Sequence, residues 1–255
     1  MLLPWSKSDV LTIAQDGIAL QLPNQPLQML STQAIGRDYS GIFEVLQQHQ
    51  DLLAQQKLRL VLSNAFVRFA ILNWQNEVFN RQDWLGLAQH TFRQEYGNSA
   101  DNWVVRVSLG AYGESVIASA IDQALYDTLM ESAKQIGFKW QAIEPLAMRL
   151  LGHAQAGWLV IAEPEHLLLC QKTQGQFTQF SVASPPGGQE AVVSQQMLAR
   201  ALLQLGATEA PIATQVIVSS QLSEQWRQAK TAPAHVKTVL GKQRQQHHAA
   251  WLATV

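Results

Sequence analysis

VVRVSLGAYGESVIASAIDQALYDTLMESAKQIGFKWQAIEPLAMRLL, residues 104–151, changes its apolar period twice, and those changes decide the fold class. Trp103–Val107 and Ser115–Ile121 read as two strands around Gly110 and Gly113. Asp122–Ile136 then carries the strongest helical spacing of the chain and stops at Gly137. Phe138–Ile143 returns to a strand, and Pro145 opens a short helix at the first helical position, where a missing N–H costs nothing. Strands that give way to helices and back again predict an α/β fold.

Working outward toward the N-terminus, Gln82–Tyr96 is helical, with Leu85, Ala88 and Phe92 on one face, and ends at Gly97. Leu58–Leu62 and Phe66–Leu72 read as a pair of strands with Ser63-Asn64 between them. Ser40–Gln50 is a short helix, and a Pro- and Gln-rich stretch precedes it from Pro23. Val10–Ala14 and Ile18–Leu22 flank Asp16-Gly17, a two-residue hairpin signal. Toward the C-terminus the pattern restarts near Gly152. Trp158–Ala162, His166–Gln171 and Phe177–Ala183 are three successive strands, and a Pro185-Pro186-Gly187-Gly188 loop leads to a helix over Gln189–Leu205. Ile212–Ser219 is a strand and Ser223–Lys230 a helix, while Gly241–Val255 has no clear place. Each half reads as βββαβα, with an extra strand and helix in the first. The expected lobes are residues 1–152 and 153–255, with 240–255 as a tail.

Composition narrows the function classes. The 255 residues are 47% apolar, enough for a real core. Eighteen basic and nineteen acidic residues leave a formal net charge of −1, and charged residues total 15%. Nucleic acid calls for a basic face, so no such partner is expected. The single Cys170 excludes an internal disulfide and a multi-cysteine metal site. The start, MLLPWSKSDV, lacks the basic-then-apolar pattern of a secretion signal, and no apolar run reaches the roughly 20 residues of a membrane span. A cytoplasmic, reducing location is expected.

The duplicated βββαβα order resembles the actin-like, or ribonuclease H-like, ATPase fold, with mixed sheets flanked by helices. LRLVLSNAFVRFAILNW (residues 58–74) and the 104–151 stretch are similar to the PilM family of pilus-assembly proteins and to the L subunit of type II secretion. The likeness spans most of residues 10–230 and includes the Glu144-Pro145 step after the 138–143 strand. It implies a protein peripheral to the bacterial inner membrane, with an inner-membrane assembly protein as partner and homodimerisation open.

In that fold two strand-turn-strand loops hold the phosphates of ATP, with acidic side chains for magnesium and glycine for close backbone approach. The first loop here is IAQDGIAL, which keeps Asp16-Gly17 but lacks the Ser or Thr cluster that follows in the family. The second is IAEPEHLLL, where Pro164 removes a donor and Glu163 and Glu165 repel phosphate. VIVSSQLSE stands where a Gly-Gly turn for adenosine is expected. Asp16, Gly17 and Glu163 are thus a degenerate nucleotide site. The expected function is a catalytically inactive scaffold without cofactor. The alternative is a divergent ATPase or kinase that binds ATP with magnesium through Asp16.

Leu2-Leu3-Pro4-Trp5 is the candidate partner-binding segment. The resemblance gives it weight, because a similar short peptide of the membrane partner docks on PilM-type proteins; a tail packed on its own lobe is the competing reading. Pro185–Gly188 reads more simply as a strand-to-helix turn than as an anion site. His247-His248 lacks a second ligand pair, and His90, His153, His166 and His235 read as surface or packing residues. No serine sits in a G-x-S-x-G elbow, and Cys170 lies in a core-type strand. Trp103, Trp140 and Trp158 are expected inside; Trp5, Trp74 and Trp84 lie near turns and polar residues, and some of the three are expected to be exposed.

Overall fold

The computed structural model describes residues 9–36, 38–164, 166–183, 195–205, 214–218 and 236–240. The chain divides into two compact units. The described residues up to Phe66 together with Ala124–Leu150 form the first, and Val67–Gln123 with those from Leu151 onward form the second. The chain passes from first to second unit next to the expected boundary at 152, but residues 67–123 cluster with the second unit.

In the first unit the hairpin signal is realised by β1 (Asp9–Ala14) and β2 (Gly17–Gln21), which are antiparallel with Thr12 opposite Ala19. A third strand, β3 (Gln28–Ser31), continues the meander. Sequence alone leaves it in the Pro- and Gln-rich stretch because its four residues include no β-branched or aromatic side chain. Helices α1 (Ser40–Gln48) and α2 (Gln50–Leu53) lead to β4 (Lys57–Leu62), parallel to β1. The sheet order is β3-β2-β1-β4-β8, with β8 (Lys139–Pro145) parallel to β4. The helix preceding β8 is α4 (Gln123–Ile136), and α5 (Leu146–Leu150) follows it. β1 is central and buried on both faces from Val10 to Ala14, which is why its apolar residues do not simply alternate with exposed polar ones; Thr12 is buried among them. Leu11, Ile13, Leu60, Ile42, Leu46, Leu125 and Leu129 are all fully buried.

Leu58–Leu62 and Phe66–Leu72 do not pair. A short 3₁₀ turn at Asn64–Phe66 separates β4 from β5 (Arg68–Leu72), which belongs to a different sheet. That three-stranded sheet has the order β5-β7-β6, with β6 (Trp103–Ser108) and β7 (Val116–Asp122), all antiparallel. Helix α3 (Arg81–Tyr96) covers it. Every second strand residue, Ala70 and Leu72, Val105 and Val107, Val116, Ala118 and Ala120, packs with Trp84, Ala88 and Phe92 of α3. Trp84 is therefore core, and not among the exposed rings of the set Trp5, Trp74 and Trp84. The Asn80 side chain caps α3 by accepting from Gln82 N–H and Asp83 N–H at 2.8 and 3.0 Å. The first half thus carries an inserted sheet and helix, more than the one extra strand and helix expected.

The rest of the second unit repeats the first unit's sheet. β9 (Gly157–Glu163), β10 (His166–Thr173) and β11 (Gln176–Ala183) form an antiparallel meander. After α6 (Gln195–Gln204), β12 (Thr214–Val218) runs parallel to β9, and β13 (Val236–Leu240) parallel to β12. The order β11-β10-β9-β12-β13 is the same topology as β3-β2-β1-β4-β8. Trp158, Val160, Ala162, Leu167 and Leu169 pack with Leu198, Ala201 and Leu202 of α6. The three-stranded sheet is tied into this unit by Ser115 Oγ, which donates to Phe177 O at 2.6 Å, and by Phe69 and Phe180, stacked at 5.3 Å. The strand β13 lies outside every element expected from sequence. Pro185–Gly188, the Ser223–Lys230 helix and Leu2–Trp5 lie outside the described residues.

Candidate functional site

The two hairpins that correspond by topology are the first places to look for phosphate chemistry. In the first unit Asp16 sits in the β1–β2 turn, half-buried, and Gly17 opens β2. Gly17 has φ 151°, and a Cβ there would overlap the Ser31 carbonyl oxygen of β3. The glycine is therefore required by the approach of a neighbouring strand, with the chain locally irregular between Ile18 and Ala19. That explains its presence without a phosphate. Ser31 was the signal missed in sequence, since β3 itself was not legible.

In the second unit the β9–β10 turn carries Glu163 and His166 as cross-strand partners. Glu163 is 1% exposed and His166 5% exposed. Glu163 Oε2 lies 3.0 Å from His166 Nε2, misaligned for a hydrogen bond, so the contact is a Coulombic one that acts when the imidazole is protonated. A buried carboxylate closed on its own histidine, next to Pro164, offers repulsion rather than donors to a phosphate. Glu163 stands at this turn, and His166, read from sequence as a surface or packing residue, stands opposite it. The period-2 register across a two-residue turn is what joins them.

The Glu144-Pro145 step lies at the end of β8. Glu144 Oε1 stands 3.6 Å from Arg59 of β4 and 3.8 Å from Arg149 of α5. Burial pushes the Arg149 guanidinium below its usual range, Glu144 opposes that shift and Arg59 adds to it. The N–H of Ala147 donates to Asn64 Oδ1 at 2.9 Å, which fastens the start of α5 to the end of β4. These contacts fix where β8 hands over to α5; they are a brace for the sheet end. Cys170 is fully buried, and burial pushes its thiol well up. Among the described residues no group of His, Cys, Asp and Glu is placed to hold a metal ion.

Two sheets of identical 3-2-1-4-5 order, each a mixed meander extended by parallel strands, decide the fold. This chain has the actin-like ATPase fold. It is similar in structure to the cytoplasmic domain of EpsL, an inner-membrane component of the type II secretion system of Vibrio cholerae, with TM-score 0.56 and 10% identity over 97% of this chain and 92% of that one. It is equally similar to a chain of the PilM-PilN type IV pilus biogenesis complex, with TM-score 0.57 and 11% identity over 98% of both chains. A Bacteroides thetaiotaomicron protein of actin-like ATPase fold and unknown function gives TM-score 0.55 and 13% identity over 86% of this chain and 85% of its own. No family model and no curated protein matches the sequence. The resemblance to PilM-type and L-subunit proteins read from sequence is thus matched at the level of fold. Among the described residues no helix is long and apolar enough to cross a membrane.

Proposed function

We propose that this chain works by binding, as a catalytically inactive actin-like module of a type IV pilus or type II secretion-like assembly platform on the cytoplasmic side of the bacterial inner membrane, where it engages a membrane assembly protein. The observation that carries the inactive part is the β9–β10 turn, where Glu163 is buried against His166 beside Pro164. Gly17 supports it from the other hairpin, because Ser31 accounts for that glycine. Likeness in fold to the EpsL cytoplasmic domain and to the PilM-PilN complex supports the platform and the partner class. Asp16, Gly17 and Glu163 are then the remnant of a nucleotide site, and Leu2, Leu3, Pro4 and Trp5 a partner-binding segment.

Calorimetric titration with Mg-ATP tests the inactive reading. Wild type and Asp16→Ala are expected to behave alike, with no saturable binding in the micromolar range. Micromolar ATP binding that Asp16→Ala abolishes would favour the second reading, a divergent ATP-binding protein, which the retention of Asp16 in the β1–β2 turn keeps specific. The partner reading is tested by titrating the cytoplasmic segment of an inner-membrane pilus or secretion assembly protein from the same organism, with and without residues 1–5 of the chain.

A further inference from the structure

Helices α1 and α4 of the first unit face the core with Ile42 and Leu46, and with Leu125, Leu129, Ala133 and Ile136. The next rows of the same two helices bound an open groove of about 860 Å³. Phe43 and Met130 give it an apolar floor, and Met130 is 42% exposed. Glu44, Asp127 and Glu131 supply three carboxylates to its walls against the single ammonium of Lys134. On α4 the spacing Asp127, Met130, Glu131, Lys134 keeps all four on one stripe. Three acids to one base is a local excess in a chain whose net charge is only −1.

We propose that this groove docks a cationic amphipathic helix, the Lys- and Arg-bearing segment that flanks the membrane span of an inner-membrane partner. The proposal rests on the partner reading above and assigns it a surface. The chemistry fits on both counts. Cytoplasmic flanks of membrane spans carry an excess of Lys and Arg beside apolar residues. A helix laid between two helices presents an apolar stripe to the floor and bases to the walls. Methionine adapts its shape to such an occupant. The same acidic walls repel nucleic acid and anionic lipid, which leaves a protein segment as the occupant.

The test uses the full chain and two labelled synthetic peptides of about 14 residues, long enough for a helix near 21 Å. One is built from Leu, Ala and Lys, the other from Leu, Ala and Glu at the same positions. Fluorescence anisotropy is expected to show saturable binding of the lysine peptide alone, weakening as salt is raised. Reversing both walls with Glu44→Lys and Glu131→Lys is expected to weaken it about tenfold, and Glu44→Gln with Glu131→Gln by less. Glu77→Lys, an exposed acid of the second unit, is expected to change nothing. All substituted residues are exposed, and a circular dichroism melt checks that each variant stays folded. Equal binding of the glutamate peptide, wild-type affinity in the double reversal, or an equal loss in Glu77→Lys would overturn the proposal. So would a dimer in sedimentation that the reversal dissociates, which would make a second copy the occupant. If the reversed variant still binds the cytoplasmic segment of the membrane partner at full strength, the groove fails while the partner reading stands. If the lysine peptide binds the groove but no membrane partner binds the chain, the assigned occupant is wrong and the proposal falls together with the partner reading.

Discussion

Substituting Gly17 by alanine separates a structural glycine from a phosphate-binding one. In the fold its φ of 151° lies where side-chain-bearing residues are strained, at about 1–3 kcal/mol. A Cβ there also overlaps the Ser31 carbonyl oxygen, which is backbone and cannot rotate away. β3 is an edge strand, so it yields by separating from β2 rather than by disrupting the sheet centre. The combined loss is expected at about 2–4 kcal/mol, below the cost of a large core cavity. Gly137, which ends α4 in the same unit, is the control. Its φ is 85°, and a Cβ there meets nothing within 4 Å. Gly137→Ala therefore carries conformational strain alone, about 1–2 kcal/mol. Urea unfolding followed by circular dichroism gives both values, and a thermal melt should place Gly17→Ala several degrees below Gly137→Ala, at about 2–4 °C per kcal/mol. Equal losses in the two variants would refute the Ser31 argument. Wild-type stability in Gly17→Ala would return the glycine to the phosphate-loop reading.

Glu163→Ala leaves His166 buried without its carboxylate and is expected to cost about 2–3 kcal/mol in urea unfolding, whereas Glu163→Leu with His166→Leu is expected to recover most of that. A double variant as unstable as Glu163→Ala would mean the pair does more than brace the turn. Cys170 is expected to resist a thiol reagent in the native state and to react fully after unfolding, since its thiol is buried and held protonated. Because the folded thiol titrates above the unfolded value near 8.5, its contribution is complete below about pH 8.5 and falls as pH rises beyond it. The stability difference between wild type and Cys170→Ala should shrink as pH rises beyond that and stay constant on acidification; a change on the acid side would contradict the sign.

The α/β class, the β1–β2 hairpin at Asp16-Gly17, the long helices α3 and α4 and the β9–β11 meander were all legible, because each rests on a local signal: a period of 2 or 3.6 and a turn residue. The duplicated order pointed to the actin-like fold for the same reason. Tertiary structure alone decided which strands share a sheet. Arg68–Leu72 follows Lys57–Leu62 after five residues, yet pairs with Val116–Asp122 in another sheet, since pairing depends on what the strand's buried face meets, and here Ala70 and Leu72 meet α3. β3 emerged only because β2 supplies its hydrogen-bond partner, and with β3 came the reason for Gly17. The Glu163–His166 contact needed the register across a turn, and the α1–α4 groove needed two helices 80 residues apart in sequence to lie side by side. Sequence fixes the period of each element and the residue types it carries. Which faces meet is settled by burial of the whole chain at once, and no local pattern records it.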